Sequence, residues 1–173
     1  MHVFSTGPFW KFAVTNVVVR PATSGDTPLL GRLGGSLVAL HHNFDPDRFI
    51  AASPNTELAY AAFLDGELTR AEVIMLVAEG PDGLLGYTYA AVEGTDYMAL
   101  RGPAGVLYDL VVDPRHRRRG IGRTLLDATL AALIDRGAPR VVISTAERNV
   151  PAQDLFASAG FRRTMIEMTR ELR

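Results

Sequence analysis

The residues best suited to chemistry in this 173-residue chain form a basic segment with two glycines, residues 115–123. It follows the apolar run Leu110–Val112 and leads into residues 121–135, where apolar side chains recur at helical spacing. Unpaired backbone N–H groups at the start of a helix attract anions, and the helix dipole adds about 0.3–1 kcal/mol to that attraction. Arginine side chains form charge-assisted hydrogen bonds to the same phosphate oxygens. The segment therefore predicts a site for a phosphate-bearing ligand.

The spacing of the glycines separates three kinds of phosphate-binding loop. A dinucleotide-binding loop requires a third glycine three residues after the second, and Leu125 occupies that position. A P-loop requires Gly-Lys followed by Ser or Thr, a triplet that the sequence lacks. The chain instead has Arg117-x-x-Gly120-x-Gly122, directly after an apolar run that ends in Val112-Asp113-Pro114. The first two kinds of loop are therefore excluded.

This third arrangement resembles the pyrophosphate loop of the GNAT superfamily of N-acetyltransferases, which is written Arg/Gln-x-x-Gly-x-Gly/Ala. A second segment, Asn149-x-x-Ala152-x-x-Leu155-Phe156-x-x-x-Gly160-Phe161, is similar to the C-terminal signature of the same family. The resemblance implies acetyl-coenzyme A as co-substrate, with the loop amides on its pyrophosphate and the preceding strand along its pantetheine arm. The residues implied in coenzyme binding are Leu110, Val111, Val112, Arg117, Arg118, Arg119, Gly120, Ile121, Gly122, Arg123, Asn149 and Phe156.

Both motifs also have plain structural explanations. The arginines could form a solvated basic turn or a nucleic-acid patch, but a net charge of −1 argues against a nucleic-acid-binding protein. The glycines could serve an ordinary turn and helix start. Asn149 stands two residues before Pro151, which is the pattern of a helix N-cap, and capping is compatible with a contact to the coenzyme. We therefore expect a coenzyme site and no binding of nucleic acid.

Alternation and helical spacing predict a single α/β domain over residues 17–173, with elements in the order β-α-α-β-β-β-α-β-α-β. The GNAT fold has the same order, in a mixed and largely antiparallel sheet flanked by helices. The first helix is predicted to end at Leu40, before a loop at 41–47, and the last strand is predicted to span 161–172. Residues 1–16 fit no element of that fold and are predicted to be an N-terminal extension of unknown role.

The catalytic groups are less clearly marked than the coenzyme site. The family commonly has a tyrosine after the leucine of the C-terminal motif, and because this chain has Phe156 there, Tyr108 becomes the candidate general acid. Glu79 and Glu93 end two predicted strands and are the candidate general bases, although a solvated strand-end charge is the commoner role for such residues. Strand alternation predicts that Asp109 faces away from Tyr108. The sequence thus offers one candidate acid and two candidate bases.

The resemblance and these residues predict an N-acetyltransferase that moves an acetyl group to a primary amine by direct attack in a ternary complex. Deprotonating a lysine at pH 7 costs about 4.6 kcal/mol, whereas an α-amine costs only about 1–1.4 kcal/mol. Because no strong base is evident, amines of low pKa are the easier acceptors, and peptide, protein and small-molecule amines all stay open. The alternative is a non-catalytic acyl-coenzyme A-binding module that senses or recruits, which Phe156 favours.

Composition further narrows the kinds of site that the chain can contain. The chain has no cysteine, which excludes disulfides, thiolate metal sites and cysteine nucleophiles. The segment containing His41, His42, Asp45 and Asp47 has metal-ligand types, but adjacent histidines point in different directions and we expect no metal. In the GNAT fold this segment borders the acceptor cleft, although a plain loop is the favoured role for the two histidines and Phe44. No apolar run reaches membrane-spanning length and no signal-peptide pattern occurs, so we expect a cytoplasmic enzyme without membrane contact. A homodimer is expected only by analogy with the family.

Overall fold

The structure, a computed structural model, describes residues 16–172. Nine regular elements, five strands and four helices, follow the predicted order within these residues. The strands are β1 Val18–Pro21, β2 Val73–Gly80, β3 Gly83–Glu93, β4 Ala104–Val112 and β5 Val141–Ile143, and the helices are α1 Thr27–Phe44, α2 Thr56–Glu67, α3 Ile121–Asp135 and α4 Val150–Ser158. The extension predicted at residues 1–16 lies outside the described residues except for Asn16.

The five strands form one sheet in the order β1-β2-β3-β4-β5. Strands β1 to β4 are antiparallel to their neighbours, and β5 alone runs parallel, beside β4. A parallel pair needs a crossover connection, which α3 provides. The prediction of a mixed, largely antiparallel sheet flanked by helices is therefore confirmed.

Helices cover both faces of the sheet, because the central strands are apolar on both sides. In β2, Ile74 and Leu76 pack with α3 and α4, whereas Met75 and Val77 pack with α1 and α2. Each fully buried leucine contributes about 1.5–3 kcal/mol of transfer free energy to folding. The fully buried leucines are Leu30, Leu64, Leu107, Leu125, Leu126 and Leu133. The sheet is thus held rigidly from both sides, and β4 in its interior is a fixed platform for a site.

Two predicted boundaries are wrong. Helix α1 does not end at Leu40 but continues through Phe44, so the predicted loop at 41–47 starts with the last turn of a helix. The predicted last strand at 161–172 is not formed, and residues 162–172 are exposed. A strand needs a partner of similar length, and β5 offers a ladder of only three residues. The resemblance to the family order therefore holds as far as α4.

The prediction that Asp109 faces away from Tyr108 is also wrong. The pairing of β3 with β4 shifts register between Tyr89 and Ala90, which lie opposite Asp109 and Leu107, so Tyr108 is an extra residue. Such a β-bulge breaks the two-residue alternation of side chains. Tyr108 and Asp109 consequently both contact side chains on the face covered by α1 and α2.

Replacing Gly31 with alanine is expected to destabilise the fold by about 1–3 kcal/mol, because the added carbon overpacks the α1–α2 contact. A Cβ at Gly31 would lie 2.4 Å from the backbone oxygen of Glu57. Gly66 of α2 is the matched control, since a Cβ there meets nothing within 4 Å. Gly66→Ala should stabilise the protein by up to about 1 kcal/mol through helix propensity. Urea unfolding measures both changes, and equal midpoints for the two variants would contradict the packing described.

Candidate functional site

The basic segment forms a tight connection between β4 and α3. Asp113 caps a 3-10 turn at Pro114–His116 by accepting a hydrogen bond from the Arg115 backbone N–H at 2.9 Å. Arg118 and Gly120 then take positive φ angles of 62° and 81°, which bend the backbone into the start of α3. Gly120 is the N-cap of α3 and brings no side chain to satisfy the first amides of the helix. Those amides are therefore free to bind an anion.

The arginines of this connection divide into two groups. Arg115 and Arg123 are paired locally, with Asp113 at 2.7 Å and Asp127 at 2.8 Å. The Arg115 guanidinium holds the pKa of Asp113 at about 2. Within residues 16–172, Arg117–Arg119 are exposed and form no ion pair. The uncompensated positive charge is thus concentrated beside the free amides of α3.

Gly122 leaves open space at the start of α3. A Cβ built there would meet only side-chain atoms, the nearest being Leu155 Cδ2 at 3.5 Å, which is ordinary contact. Packing within the protein therefore does not require a glycine at this position. A missing side chain does allow a ligand to approach the backbone closely. The loop fits a pyrophosphate by its free amides, its unpaired arginines and its two glycines together.

The edge of β4 that faces β5 is open over its second half. Pairing with β5 joins Gly105–Leu107 to Val141–Ile143 and ends there, although β4 continues through residues 108–112. Among the described residues, the connection between β4 and α3 forms one hydrogen bond to the β4 backbone. Arg117 Nε donates it to the Val112 carbonyl at 3.3 Å. The two strands thus separate, and the gap between β4 and β5 leads to the basic segment at residues 115–123.

The direction of the backbone groups along this gap follows from one hydrogen bond. The Asp113 N–H donates to the Leu85 carbonyl at 2.8 Å, on the β3 side of β4. Because N–H groups of a strand alternate between its two edges, Leu110 and Val112 direct theirs to the open edge. Val111 directs its own toward β3. Of the three strand residues predicted to bind the coenzyme, two therefore present backbone groups to the gap.

The C-terminal motif residues take structural roles. Asn149 is the N-cap of α4, and its side-chain oxygen accepts a hydrogen bond from the Ala152 N–H at 3.4 Å. Phe156 is buried in the core and lies edge-to-face against Phe161, with ring centroids 5.8 Å apart. Coenzyme contact by Asn149 and Phe156 stays a prediction. The capping role weighed for Asn149 is present in the structure.

Tyr108 lies in a polar and aromatic cluster at the bulge. Its ring stacks on Tyr89 with centroids 4.7 Å apart, and its hydroxyl donates to Glu93. Glu93 also pairs with Arg101 at 2.5 Å. Burial, followed by the hydrogen bond to Glu93, raises the pKa of Tyr108 to about 12. The candidate acid and one candidate base are thus hydrogen-bonded to each other.

Glu79 lies far from that cluster. It pairs with Leu84 at the start of β3, whereas Glu93 ends the same strand, so about 30 Å of extended chain separates the two glutamates. Its carboxylate accepts from Arg20 Nε at 2.7 Å, and the same guanidinium pairs with Asp26 at 2.8 Å. Glu79 and Glu93 therefore cannot serve one reaction centre together, and Glu79 belongs to an ion-pair network at β1.

We expect Asp26 to make folding sensitive to acid. Arg20 holds the pKa of Asp26 at about 2, and its side chain is only 11% exposed. A carboxylate with a lowered pKa stabilises the fold at neutral pH and loses that contribution as the pH falls. The free energy of unfolding of the wild type should fall by about 1–2 kcal/mol more than that of Asp26→Asn between about pH 5 and pH 2. Denaturant titrations at several pH values measure this difference, and parallel curves would contradict it.

A buried carboxylate on β4 was missed as a feature of the site. Asp109 accepts hydrogen bonds from the hydroxyls of Tyr60 at 2.6 Å and Tyr87 at 2.8 Å. Burial raises the pKa of Asp109, while the hydrogen bonds from the two tyrosines act in the opposite direction. The register shift that brings Asp109 to this face has no signal in the sequence. Asp109 immediately precedes Leu110, and so lies beside the gap.

Two kinds of feature are not found in residues 16–172. No group of three or more histidine, cysteine, aspartate or glutamate side chains is placed to hold a metal ion. No helix in the same residues combines the length and apolar character needed to cross a membrane. The predictions of no metal and of a cytoplasmic location stay predictions.

The geometry of the loop and gap agrees with the comparison to known families. The model of the acetyltransferase (GNAT) family matches residues 37–161. This chain belongs to the GNAT family. The match includes the last eight residues of α1, the gap between β4 and β5, the basic segment at 115–123 and α4.

Curated relatives of this GNAT chain match about half of it. It is 36% identical over 96 residues to a mycothiol acetyltransferase of Thermobispora bispora. The aligned region covers 53% of this chain and 31% of the relative. It is 41% identical over 99 residues to the mycothiol acetyltransferase of Clavibacter sepedonicus, and this region covers 54% of this chain and 29% of the relative. The human N-acetyltransferase 8 is 33% identical over 88 residues, covering 51% and 38%. The chain therefore spans about a third of the length of these relatives.

Solved structures share the fold over nearly the whole chain. A protein from Bacillus halodurans gives a TM-score of 0.76 at 20% identity, covering 90% of this chain and 99% of that one. A GCN5-related N-acetyltransferase from Ralstonia eutropha gives a TM-score of 0.67 at 24% identity, and the match covers 90% of this chain and 98% of that one. An aminoglycoside acetyltransferase from an uncultured soil sample gives a TM-score of 0.61 at 19% identity, and the match covers 91% of this chain and 97% of that one. At these identities the likeness concerns the fold.

Proposed function

We propose that the chain transfers an acetyl group from acetyl-coenzyme A to a primary amine by direct attack in a ternary complex. The observation that carries this proposal is the combination of free α3 amides and unpaired arginines at the end of the open β4 edge. The amides of Gly120 to Gly122 and the side chains of Arg117–Arg119 would hold the pyrophosphate. The backbone of Leu110 and Val112 would pair with the pantetheine arm. Membership of the GNAT family supports the same assignment.

The bound coenzyme supplies a thioester, whose acetyl carbon accepts an amine. Leu110 directs its N–H to the open edge, where it can stabilise the negative charge that develops on the acetyl oxygen. Holding both reactants in one gap contributes up to about 7–11 kcal/mol in the most favourable intramolecular systems. Positioning by β4 and the loop can therefore supply much of the rate enhancement. No covalent acyl-enzyme is needed in this mechanism.

The acceptor is an amine whose identity is open. The curated relatives include mycothiol acetyltransferases, and one structural neighbour is an aminoglycoside acetyltransferase. We infer that an amine of low pKa is preferred, since neutralising it costs about 1–1.4 kcal/mol at pH 7 rather than about 4.6 kcal/mol for lysine. An amino sugar or a peptide α-amine meets this requirement better than a protein lysine.

Calorimetric titration with acetyl-coenzyme A, followed by thiol release with a panel of amines, tests the proposal. The panel contains an aminoglycoside, an amino sugar, a peptide with a free α-amine and the same peptide with only a lysine amine. Binding with amine-dependent thiol release would support the transferase. Binding with no release by any amine would favour the non-catalytic acyl-coenzyme A-binding module. Absence of binding by the folded protein would refute both.

A further inference from the structure

His41 stands where the sheet-facing stripe of α1 leaves the core. Leu30 and Leu37 of α1 pack in the same core cluster as Val111 of β4, and His41 follows Leu37 by one helical turn on the same face. A histidine thus takes the place of the next apolar residue. It lines an open pocket of about 170 Å³ with Leu37, Val38, Phe49 and Ile50.

The C-terminal part of α1 is linked to both sides of the gap between β4 and β5. On the β4 side, α1 packs against the strand, with Leu37 in the same core cluster as Val111, two residues after Asp109. On the β5 side, Arg148 of the segment after β5 donates from Nη1 to the Phe44 carbonyl at 2.6 Å. The pocket beside His41, which Leu37 also lines, therefore lies at the end of the helix that covers the Asp109 face of β4.

One hydrogen bond determines which nitrogen of His41 can accept a proton. Nδ1 lies 2.9 Å from the Leu37 carbonyl oxygen, which can only accept, so Nδ1 carries the hydrogen. In the neutral ring Nε2 then has a free lone pair. The ring is held by edge-on contacts with Phe44 and Phe49, at centroid distances of 6.0 and 5.0 Å. The side chain is thus oriented with a basic nitrogen available.

We propose that His41 is the general base of this enzyme and takes the proton that the acceptor amine loses. The inference rests on the proposed transferase function. As the amine nitrogen attacks, its bond to the acetyl carbon forms, its proton passes to His41 Nε2, and the carbon–sulfur bond breaks with its electron pair on sulfur. The candidate acid Tyr108 protonates the departing thiolate, and the proton on Nε2 leaves to solvent as Tyr108 regains a proton from solvent. Acetyl amide and free coenzyme A are the products, and the imidazole is regenerated.

The surroundings of His41 suit this role in two ways. The apolar walls of the pocket disfavour a charged ammonium group, so an amine entering it loses its proton more readily. The buried Asp109, which accepts hydrogen bonds from Tyr60 and Tyr87, lies on the sheet face that α1 covers, and its ionised form favours the imidazolium that forms. The other ionisable groups near the last turn of α1 are His42, Asp45, Arg48, Tyr60 and Arg148.

The test compares His41→Asn with His42→Asn. Asparagine can keep the hydrogen bond from the Nδ position to the backbone, but it has no basic nitrogen. His42 is a matched control, since its Nδ1 also lies 2.9 Å from a backbone carbonyl, that of Phe49. We expect His41→Asn to lower kcat/KM for the amine about 100-fold with unchanged acetyl-coenzyme A affinity, and His42→Asn to change it less than about threefold. The fall of the wild-type rate at acidic pH should persist in His42→Asn and disappear in His41→Asn.

Chemical rescue separates a base from a structural residue. Added imidazole should restore part of the rate of His41→Ala and leave His42→Ala unaffected. Equal rates for the two asparagine variants, or a loss confined to coenzyme affinity, would overturn the assignment of His41 and leave the transferase intact. Absence of thiol release by the wild type with every amine would overturn the transferase function, and the base with it.

Discussion

Replacing Gly120 with valine is expected to weaken acetyl-coenzyme A binding by about 100-fold or more, since two charge-assisted contacts of about 1.5 kcal/mol each are lost. Gly120 is the N-cap of α3 and adopts a φ angle of 81°. A valine side chain at this position would fill the space through which a phosphate reaches the first helix amides. Isothermal titration calorimetry measures the loss directly.

Two controls distinguish a lost ligand site from a strained backbone. Gly137, just after α3, has a similar φ angle of 77°, and a Cβ there meets nothing within 4 Å. Valine costs about 1–3 kcal/mol of stability at either position because of its positive φ angle. Gly137→Val should nevertheless bind the coenzyme normally, and Gly122→Ala should weaken binding much less than Gly120→Val, because the family pattern accepts alanine at that position. Equal affinities for Gly120→Val and wild type would refute the phosphate site.

The second large effect is expected at Tyr108. Tyr108→Phe should lower kcat by about 100-fold, the lower end for a general acid, because a thiolate of pKa near 8.5 is already a fair leaving group. The coenzyme affinity should change little, since the hydroxyl contacts Glu93 and not the loop. With its pKa raised to about 12, Tyr108 keeps its proton, so the wild-type rate should not fall at alkaline pH through loss of that proton. Stopped-flow measurement of thiol release across pH tests both statements.

Tyr89→Phe is the matched control for Tyr108→Phe. The two rings stack on each other, and the Tyr89 hydroxyl donates to Glu67 at 2.5 Å. Each substitution removes one hydroxyl and keeps the stacked pair. A rate loss in Tyr108→Phe alone would support proton donation to the thiolate. Equal losses in both variants would assign the effect to packing of the cluster and remove Tyr108 from the mechanism.

Much of the geometry of the proposed coenzyme site could be predicted because its determinants are local. The turn, the arginines and the helix start occupy consecutive positions, 113–123, and each depends on its neighbours in the chain. The capping role of Asn149 follows in the same way from Pro151. Contacts within a few residues are encoded in spacing, so they can be inferred before any tertiary contact is known.

The catalytic surroundings could not be predicted, because they depend on register and on helix ends. One extra residue at Tyr108 turns Asp109 to the face covered by α1 and α2, where Tyr60 of a distant helix binds it. The continuation of α1 through Phe44 places His41 on a packed helical turn rather than in a loop. The absent strand at 161–172 likewise reflects the short ladder that β5 offers.

The sequence by itself therefore determined the family, the order of the elements through α4 and the basic turn that opens α3, since these follow from local backbone preferences and spacing. The tertiary structure alone decided which side chains surround the proposed reaction centre. It separated Glu79 from Glu93 by the length of β3, buried Asp109 between two tyrosines and packed α1, which carries His41, on the same face of the sheet. The physical reason is that a β-bulge and the packing of α1 on the sheet are settled by long-range contacts, which no local pattern records.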